Sequence, residues 1–214
     1  MCCASCHIQA NAFTCGIEHP KYTDGLTFGV TGKYTNHVVM PLYNLVFNNN
    51  GYLWNGMIYP DNPNIQYRNL EDIVRMTIIA DDEMCSSPER CIATLENISI
   101  YPPMFKAAFG SEEITLDRIC KAIAQFIRTL ISSDSKFDKY LRGETQLTDD
   151  ELAGYVLFVT EEGADCFHCH GSDGNLLMTT NSFYNNGLDS LFNDSQDRAS
   201  VTRTPNDIGA YRAP

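Results

Sequence analysis

Positive charge is scarce in this sequence. There are 15 Lys and Arg residues against 27 Asp and Glu residues, which gives a formal net charge of −12 at pH 7. Proteins that bind nucleic acid carry basic patches that attract phosphates, so this balance argues against a nucleic-acid partner. An acidic surface would instead suit a positively charged protein partner, or would simply keep the protein soluble.

Long apolar runs and regular strand patterns are missing as well. No stretch approaches the roughly 18 apolar residues of a membrane-spanning helix, so we do not expect the chain to span a membrane. No positively charged segment followed by an apolar one precedes Cys3, so no export signal is recognisable. Neither strand-like alternation nor a solenoid period is found. These absences favour an all-α, loop-rich fold.

Two pentapeptides of the form Cys-x-x-Cys-His are the strongest positive signal. The first spans Cys3–His7 and the second spans Cys166–His170. In this pattern two thiols form thioether bonds to a porphyrin, and the adjacent histidine ligates the iron. The sequence therefore predicts two covalently bound haems c, with iron ligands His7 and His170. The predicted thioether cysteines are Cys3, Cys6, Cys166 and Cys169.

Other uses of these cysteines fit less well. Paired Cys-x-x-Cys units that share a structural zinc usually lie about 15 to 20 residues apart, whereas these motifs begin 163 residues apart (166 minus 3). A thioredoxin-like motif needs a βαβ context, which the Asn- and Thr-rich sequence after the first motif does not offer. Among the five remaining cysteines, a disulfide between Cys85 and Cys91 stays open.

Amphipathic patterns and capping signals predict four helices. The helix after Thr115 is the clearest, because apolar residues recur in it at three- and four-residue spacing. Its predicted apolar stripe consists of Ile119, Ala122, Ile123, Phe126, Ile127 and Leu130. Thr148 and Glu151 match a capping box, in which each side chain binds a backbone N–H of the first turn. No helix is assignable between His170 and Pro214. The four predicted helices begin after Asn69, Ser87, Thr115 and Thr148.

We expect these elements to form two haem domains. The boundary is predicted near residues 143–146, where the helical patterns are interrupted before the capping box. The first domain would then span residues 1–144 and the second residues 145–214.

Short matches run along nearly the whole chain in a fixed order. They include Asn11–Phe13 after the first pentapeptide, Asn44–Phe47, Leu53–Gly56, Leu70–Asp72, Glu83–Met84, Phe126–Leu130, Ser135–Asp138, Leu157–Phe158, Asn185–Gly187 and Tyr211–Pro214. With the two pentapeptides, they make the sequence resemble the bacterial dihaem cytochrome c peroxidase family. The resemblance implies a periplasmic protein with two cytochrome c-like haem domains that reduces hydrogen peroxide to water.

The resemblance also implies that the two haems differ in role. The low-potential haem on His7 would bind peroxide, and the high-potential haem on His170 would take electrons from a small cytochrome c or copper protein. Trp54 matches a tryptophan that lies between the haems and relays electrons. Glu83 matches an acid beside the first haem, where a carboxyl can move a proton between the peroxide oxygens. From the residues alone, a core Trp and a solvated acidic turn are the more ordinary interpretations.

Two other functions stay open. A relative with the same haems could oxidise another substrate, such as a protein side chain. A non-catalytic dihaem electron carrier would be consistent with the departures from the family pattern described next. Dimers are common in the family, so a homodimer is a further expectation.

Several departures lie around the predicted first haem. Thr31 stands where the family often has a histidine that blocks the iron until reduction, so an open or water-bound iron is expected. His37 is a nearby candidate for a substitute ligand, although a lone histidine in a loop is more often solvated. Ile73 replaces a common distal-pocket Gln, which removes a hydrogen-bonding partner. Val38 falls where an Asn helps to bind an inter-domain calcium ion, so calcium is in doubt.

Other departures lie around Gly56 and at the end of the chain. Asn55 and Met57 replace an Asp and an Arg of the family. The chain stops at Pro214, 44 residues after His170 (214 minus 170), before the segment that supplies the distal Met of the second haem. Met178 is the only Met beyond His170, and it is expected in the core rather than at the iron. The second domain is thus expected to be incomplete, and the chain to be a fragment that also lacks its N-terminal leader.

Overall fold

A computed structural model describes residues 1–59, 68–192 and 195–213. The chain forms two compact units: an N-terminal unit of Met1–Val46 and Pro60–Leu130, and a C-terminal unit of Phe47–Tyr59 and Ile131–Pro214. These units depart from the boundary expected near residue 144. Phe47–Tyr59 joins the C-terminal unit because residues near the chain end hold it by hydrogen bonds, which is a long-range effect invisible in the local sequence.

The N-terminal unit begins with irregular chain and ends with four helices. Its first part contains short 3-10 turns and one antiparallel hairpin, β1 Tyr22–Thr23 with β2 Leu26–Thr27. The helices are α1 Leu70–Ile79, α2 Pro88–Glu96, α3 Tyr101–Phe109 and α4 Leu116–Arg128. Three of the four predicted helices are therefore confirmed here, and α3 was not predicted. Its Pro102 and Pro103 fit the first turn, where backbone N–H groups have no partner inside the helix.

Local capping explains where these helices begin. The side chains of Asn69, Ser87 and Thr115 each accept a hydrogen bond from the backbone N–H three residues later. Such caps satisfy N–H groups that the helix itself leaves unpaired. The predicted cap residues of α1, α2 and α4 are thus confirmed.

The core of the N-terminal unit lies between α1 and α4. Arg128 on α4 donates to both carboxylate oxygens of Glu71 on α1, at 2.7 and 2.9 Å, and this pair fixes the crossing. The predicted apolar stripe of α4 was partly wrong, since Phe126 is 58% exposed whereas Cys120 and Ala124 are fully buried. The buried side chains of the two helices are Leu70, Val74, Ile78, Leu116, Ile119, Cys120, Ala124 and Ile127.

The C-terminal unit has shorter elements. They are α5 Lys136–Leu141, α6 Asp149–Val159, α7 Phe167–His170, α8 Arg198–Thr202 and one antiparallel pair, β3 Phe183–Tyr184 with β4 Tyr211–Arg212. The predicted capping box of α6 is confirmed, with Thr148 and Glu151 binding each other's backbone N–H. The prediction of no helix beyond His170 was wrong, because the five residues of α8 are too few to show a helical period.

The described residues are helix-rich with only short strands, as predicted. None of their helices is long and apolar enough to cross a membrane. Cys85 and Cys91 are free thiols, and Cys91 Sγ lies 3.5 Å from Ser86 Oγ, so the disulfide that the sequence left open is not formed here.

Candidate functional site

The first pentapeptide forms a tight turn. Cys3–Ser5 is a 3-10 turn, and His7 N donates to Cys3 O at 2.9 Å, so the two thiols and the imidazole share one turn. Burial raises the pKa of the Cys3 and Cys6 thiols, and the negative charge of Glu83 raises both further. The turn therefore presents the donor atoms that haem c attachment requires.

The imidazole of His7 is held in one tautomer. Its Nδ1 lies 2.5 Å from the backbone O of Phe13. Because a carbonyl oxygen only accepts, Nδ1 carries the proton and the Nε2 lone pair is the one suited to iron. Burial lowers the pKa of His7, and hydrogen bonds with the carbonyls of Phe13 and Met40 raise it by less. The pKa is therefore below its ordinary value, which favours the neutral imidazole that binds metals.

The second pentapeptide repeats this arrangement. His170 N donates to Cys166 O at 3.0 Å, and His170 Nδ1 donates to the backbone O of Met178 at 3.3 Å. Met178 is half-buried, and its main chain lies on the Nδ1 side of the imidazole. His168, the other histidine of this motif, is exposed and bonded to Asp165 at 2.8 Å. The donor set of each pentapeptide, two thiols and an Nδ1-protonated imidazole, fits haem c.

The two carbonyls that accept from the histidines share an uncommon backbone conformation. Phe13 has φ 60° and Met178 has φ 53°. Left-handed backbone is unusual for residues other than glycine and often marks functional sites. Nothing in the local sequence pointed to either acceptor, since their side chains take no part.

Glu83 differs from the acidic residues beside it. Asp81 is exposed and ion-paired with Lys33, whereas Glu83 is half-buried. Burial raises the pKa of Glu83, a hydrogen bond from the Thr77 side chain lowers it, and the charge of Asp82 raises it. Glu83 also lies within electrostatic range of Cys3 and Cys6. The ordinary interpretation of a solvated acidic turn therefore applies to Asp81 but not to Glu83.

A neighbouring loop fixes the turn that carries Glu83. Val30 N donates to Glu83 O at 2.8 Å, and Thr31 Oγ1 donates to Asp81 O at 2.5 Å. A Cβ on Gly29 would lie 2.3 to 2.4 Å from backbone atoms of Asp82 and Glu83, so only glycine fits there. Sequence reasoning missed this support, since its partners are about 50 residues apart.

Trp54 lies in the C-terminal unit, in a loop closed by a bridge between Tyr52 and Ile58. Trp54 is half-buried, and its backbone O accepts from Arg212 N at 2.8 Å. Arg212 is 7% exposed and extends its guanidinium beneath the same loop. Arg198, the second arginine at this loop, donates through Nη1 to Asn55 O at 2.9 Å. Neither arginine was singled out from the sequence.

Comparison with known proteins assigns the chain to a family. The family model described as "Di-haem cytochrome c peroxidase" matches residues 1–146. The chain belongs to this family. Membership implies haem c cofactors, and it accounts for the paired Cys-x-x-Cys-His motifs.

Individual relatives of this dihaem peroxidase family carry two kinds of name. A cytochrome c551 peroxidase of Nitrosomonas europaea is 46% identical over 89 residues, which are 41% of this chain and 26% of the relative. The methylamine utilization protein MauG of Methylorubrum extorquens is 31% identical over 87% of this chain and 47% of its own length. The chain thus spans about half or less of these curated relatives.

A solved structure extends the likeness to the whole chain. The crystal structure of a MauG-like protein associated with microbial copper homeostasis is 28% identical, with a TM-score of 0.80, and the match covers 100% of this chain and 62% of that protein. This supports the coarse fold class predicted from the sequence.

Three departures from the family pattern have defined surroundings in this structure. Thr31 is exposed and anchors the Glu83 turn. Ile73, which stands where a distal-pocket Gln is common in the family, lies one helical turn before Thr77 on α1. The hydroxyl that acts on the pKa of Glu83 therefore comes from the same helix. Asn55 is buried, with its side chain donating to Gln196 O at 2.9 Å.

Among the described residues no group of three or more His, Cys, Asp or Glu could hold a metal ion, and the doubt over calcium at Val38 stays a prediction.

Proposed function

We propose that this protein is a periplasmic dihaem c peroxidase that reduces hydrogen peroxide to water with electrons from a small cytochrome c or copper protein. The observation that carries the proposal is Glu83, a half-buried carboxyl with a raised pKa within electrostatic range of the first haem motif. The reaction consumes one peroxide, two electrons and two protons and releases two water molecules. It therefore needs a group that delivers protons, which solvated acids alone do not position.

Each motif would hold one haem by the same residues. Cys3 and Cys6 would form the thioethers of the first haem, with His7 as its iron ligand. The second haem would be held in the same way, by Cys166, Cys169 and His170. When bound, the haem irons supply the redox chemistry. The protein supplies the tautomer of each imidazole, through the carbonyls described above.

Glu83 would move the proton. As the carboxylate it would take the proton from one peroxide oxygen, and as the acid it would give that proton to the other oxygen, which then leaves as water. The Thr77 side chain, which lowers the pKa of Glu83 against the effect of burial, would favour the carboxylate that the first step needs. Trp54 would pass electrons from the haem on His170 to the haem on His7.

The experiment compares Glu83→Gln with Glu96→Gln in peroxide turnover with a reduced electron donor. Glu96 is an exposed acid at the end of α2 in the same unit, so its variant controls for the lost charge. We expect turnover to fall about 100-fold or more in Glu83→Gln, since general acid–base groups contribute on this scale, and to be unchanged in Glu96→Gln. Equal turnover in both variants would remove Glu83 from the mechanism.

A second candidate is a MauG-like oxidase that uses peroxide to oxidise another substrate. It is favoured by the MauG relative, whose likeness covers 87% of this chain. Peroxide-dependent oxidation of a small phenol without any reduced donor, abolished together with haem loading, would support it. A homodimer and the assignment of residues 1–144 and 145–214 to the two haems stay predictions.

A further inference from the structure

Two arginines donate most of the hydrogen bonds that the backbone carbonyls on either side of Trp54 accept from residues near the chain end. Five backbone carbonyls of the loop that carries Trp54 accept hydrogen bonds from them. Arg212 donates through Nη2 to Asn50 O at 2.6 Å and to Gly51 O, and through its backbone N to Trp54 O at 2.8 Å. Arg198 Nη1 donates to Asn55 O at 2.9 Å and Gly56 O at 3.3 Å. The contacts therefore lie on both sides of the tryptophan.

An aromatic ring fills the space between the arginines and the loop. Phe183 on β3 lies against both guanidinium groups, with its centroid 4.1 Å from Arg198 and 4.8 Å from Arg212. A Cβ on Gly56 would lie 2.2 Å from Phe183 Cζ, and a Cβ on Gly51 would lie 2.5 Å from Gly56 O. The loop thus fits closely enough that a small change in either arginine would move it.

Charge makes this arrangement costly for stability. Among the residues that the structure describes, no carboxylate lies within ion-pair distance of either guanidinium, and Nε of Arg212 has no hydrogen-bond partner. Burial, and secondarily the charge of Arg198, lowers the pKa of Arg212 to about 10, which still leaves it charged at neutral pH. Arg198 is half-buried and lies within electrostatic range of Asp207, whereas Arg212 is 7% exposed with no described carboxylate at ion-pair distance. A buried charge of this kind opposes folding, so stability alone does not account for Arg212.

The same arginine is connected to the second haem motif. Arg212 Nη1 donates to the backbone O and side-chain Oδ1 of Asn181, both at 3.1 Å. The preceding residue, Thr180, donates through Oγ1 to Cys169 O at 3.0 Å. A path of hydrogen bonds, with one peptide link between Asn181 and Thr180, therefore runs from the Trp54 loop through Arg212 to a cysteine of the motif.

We propose that Arg212, assisted by Arg198, is the positioning residue that holds Trp54 in a fixed relation to the second haem, so that electron flow through Trp54 depends on Arg212. This inference rests on the proposed relay role of Trp54. Neither arginine touches a reacting group. Each acts through the backbone carbonyls of the loop.

The test uses the full-length haem-loaded protein with Arg212→Met and Arg212→Lys, each alone and combined with Trp54→Phe. Arg203→Met serves as the matched control, since Arg203 is exposed on the same unit. The first measurement is the rate of electron transfer between the two haems after rapid reduction of the second. The second is the fluorescence lifetime of Trp54, the only tryptophan in the chain, whose quenching by haem depends on distance and orientation.

We expect Arg212→Met to keep both haems and to slow electron transfer about tenfold or more, since misplacements near 1 Å can cost that much. The Lys variant should recover part of the rate, and Arg203→Met should match the unaltered protein. With Trp54→Phe present, Arg212→Met should change the rate less than about twofold, because both changes act on one path.

Two results would overturn the proposal. One is an unchanged Trp54 lifetime in both Arg212 variants. The other is an equal loss of rate with and without Trp54→Phe, which would mean that Arg212 acts elsewhere. If the fluorescence lifetime of Trp54 changes but the rate of electron transfer between the haems does not, Arg212 holds the loop but Trp54 is not the relay. If Arg212→Met fails to load haem, Arg212→Lys decides by the same criteria.

Discussion

The two compact units differ in how much apolar side chain they bury. Among the described residues, eleven buried apolar side chains belong to the N-terminal unit, and four belong to the C-terminal unit: Ile58, Val201, Ala210 and Ala213. Large side chains remain exposed in both units, such as Phe126 on α4 and Leu157 on α6. The difference is that the N-terminal unit has a core of its own between α1 and α4, whereas the C-terminal unit would gain most of its core from a group that covers its apolar surface. A porphyrin is large, flat and apolar enough to do so.

The charged groups around the two motifs differ in burial. A carboxyl, Glu83, and an ammonium group, Lys21, both lie within electrostatic range of Cys6 in the first motif. The guanidinium of Arg212 is hydrogen-bonded toward the second motif, in which Asp165 binds His168. Each motif therefore has a cation and a carboxylate nearby, and the two differ in that the arginine linked to the second is buried.

The comparison is tested most strongly by removing one haem at a time. Cys3→Ala with Cys6→Ala, and Cys166→Ala with Cys169→Ala, should each lower the intact mass by one haem, whereas Cys2→Ala should keep both. If the porphyrin completes the core of the C-terminal unit, the second pair should also lose more helical signal by circular dichroism than the first. An equal loss of helical signal in both double variants would contradict the proposed difference in how the two units complete their cores.

Shortening one buried side chain in each unit compares the stability and the Trp54 environment of the two units. Ile78→Ala in the N-terminal unit and Ile58→Ala in the C-terminal unit should each lower the free energy of unfolding by about 2 to 5 kcal/mol, since both residues are almost fully buried. Only Ile58→Ala should change the fluorescence of Trp54, which shares its loop. Chemical denaturation followed by far-UV circular dichroism measures the loss of stability in each variant, and the emission of Trp54 is recorded separately. A change in Trp54 emission on Ile78→Ala would contradict the expected difference.

Thr77→Val tests whether the Thr77 hydroxyl controls the pKa of Glu83. The Thr77 hydroxyl favours the charged carboxyl, so its loss should raise the pKa of Glu83 further above its ordinary value. Because the first proton transfer needs the carboxylate, the acid limb of the pH–activity profile should move to higher pH. Thr77→Ser keeps the hydroxyl and should leave the profile in place, and a profile that is identical in all three proteins would exclude the contact from the mechanism.

The smallest effect is expected at the start of α5. Ser135 N and Oγ donate to Asp138 Oδ2 at 2.8 and 2.6 Å, and these bonds hold the pKa of Asp138 below its ordinary 3.8. The carboxylate therefore stabilises the fold above that pH, and this contribution is lost as the pH falls through the lower folded pKa. Asp138→Asn should cost about 1 kcal/mol at pH 7 and less near pH 2. Asp134→Asn, at a site that is 82% exposed, is the control.

The sequence predicted those features that depend on neighbouring residues. Asn69, Ser87, Thr115 and Thr148 cap helices because capping involves residues only three positions apart. Both haem motifs were also recognisable, since their ligands are contiguous.

What the sequence could not predict depends on contacts between distant residues. Arg198 meets Asn55 across 143 positions, and no local pattern indicates such a pair. The same long-range contacts moved Phe47–Tyr59 into the C-terminal unit, away from the predicted boundary. Thr77 was missed for a related reason, since a single threonine within an apolar helix gives no sign of the carboxyl that it meets.

The left-handed backbone at Phe13 and Met178 has a consequence for protein engineering. The imidazole proton is anchored to the main chain in both motifs, so the side chain of the anchoring residue takes no part in fixing the tautomer. Replacement of either side chain by asparagine or glycine, which accept this conformation readily, should leave the anchor intact. If each histidine ligates a haem iron as proposed, labels could be attached at these two positions without altering the ligand.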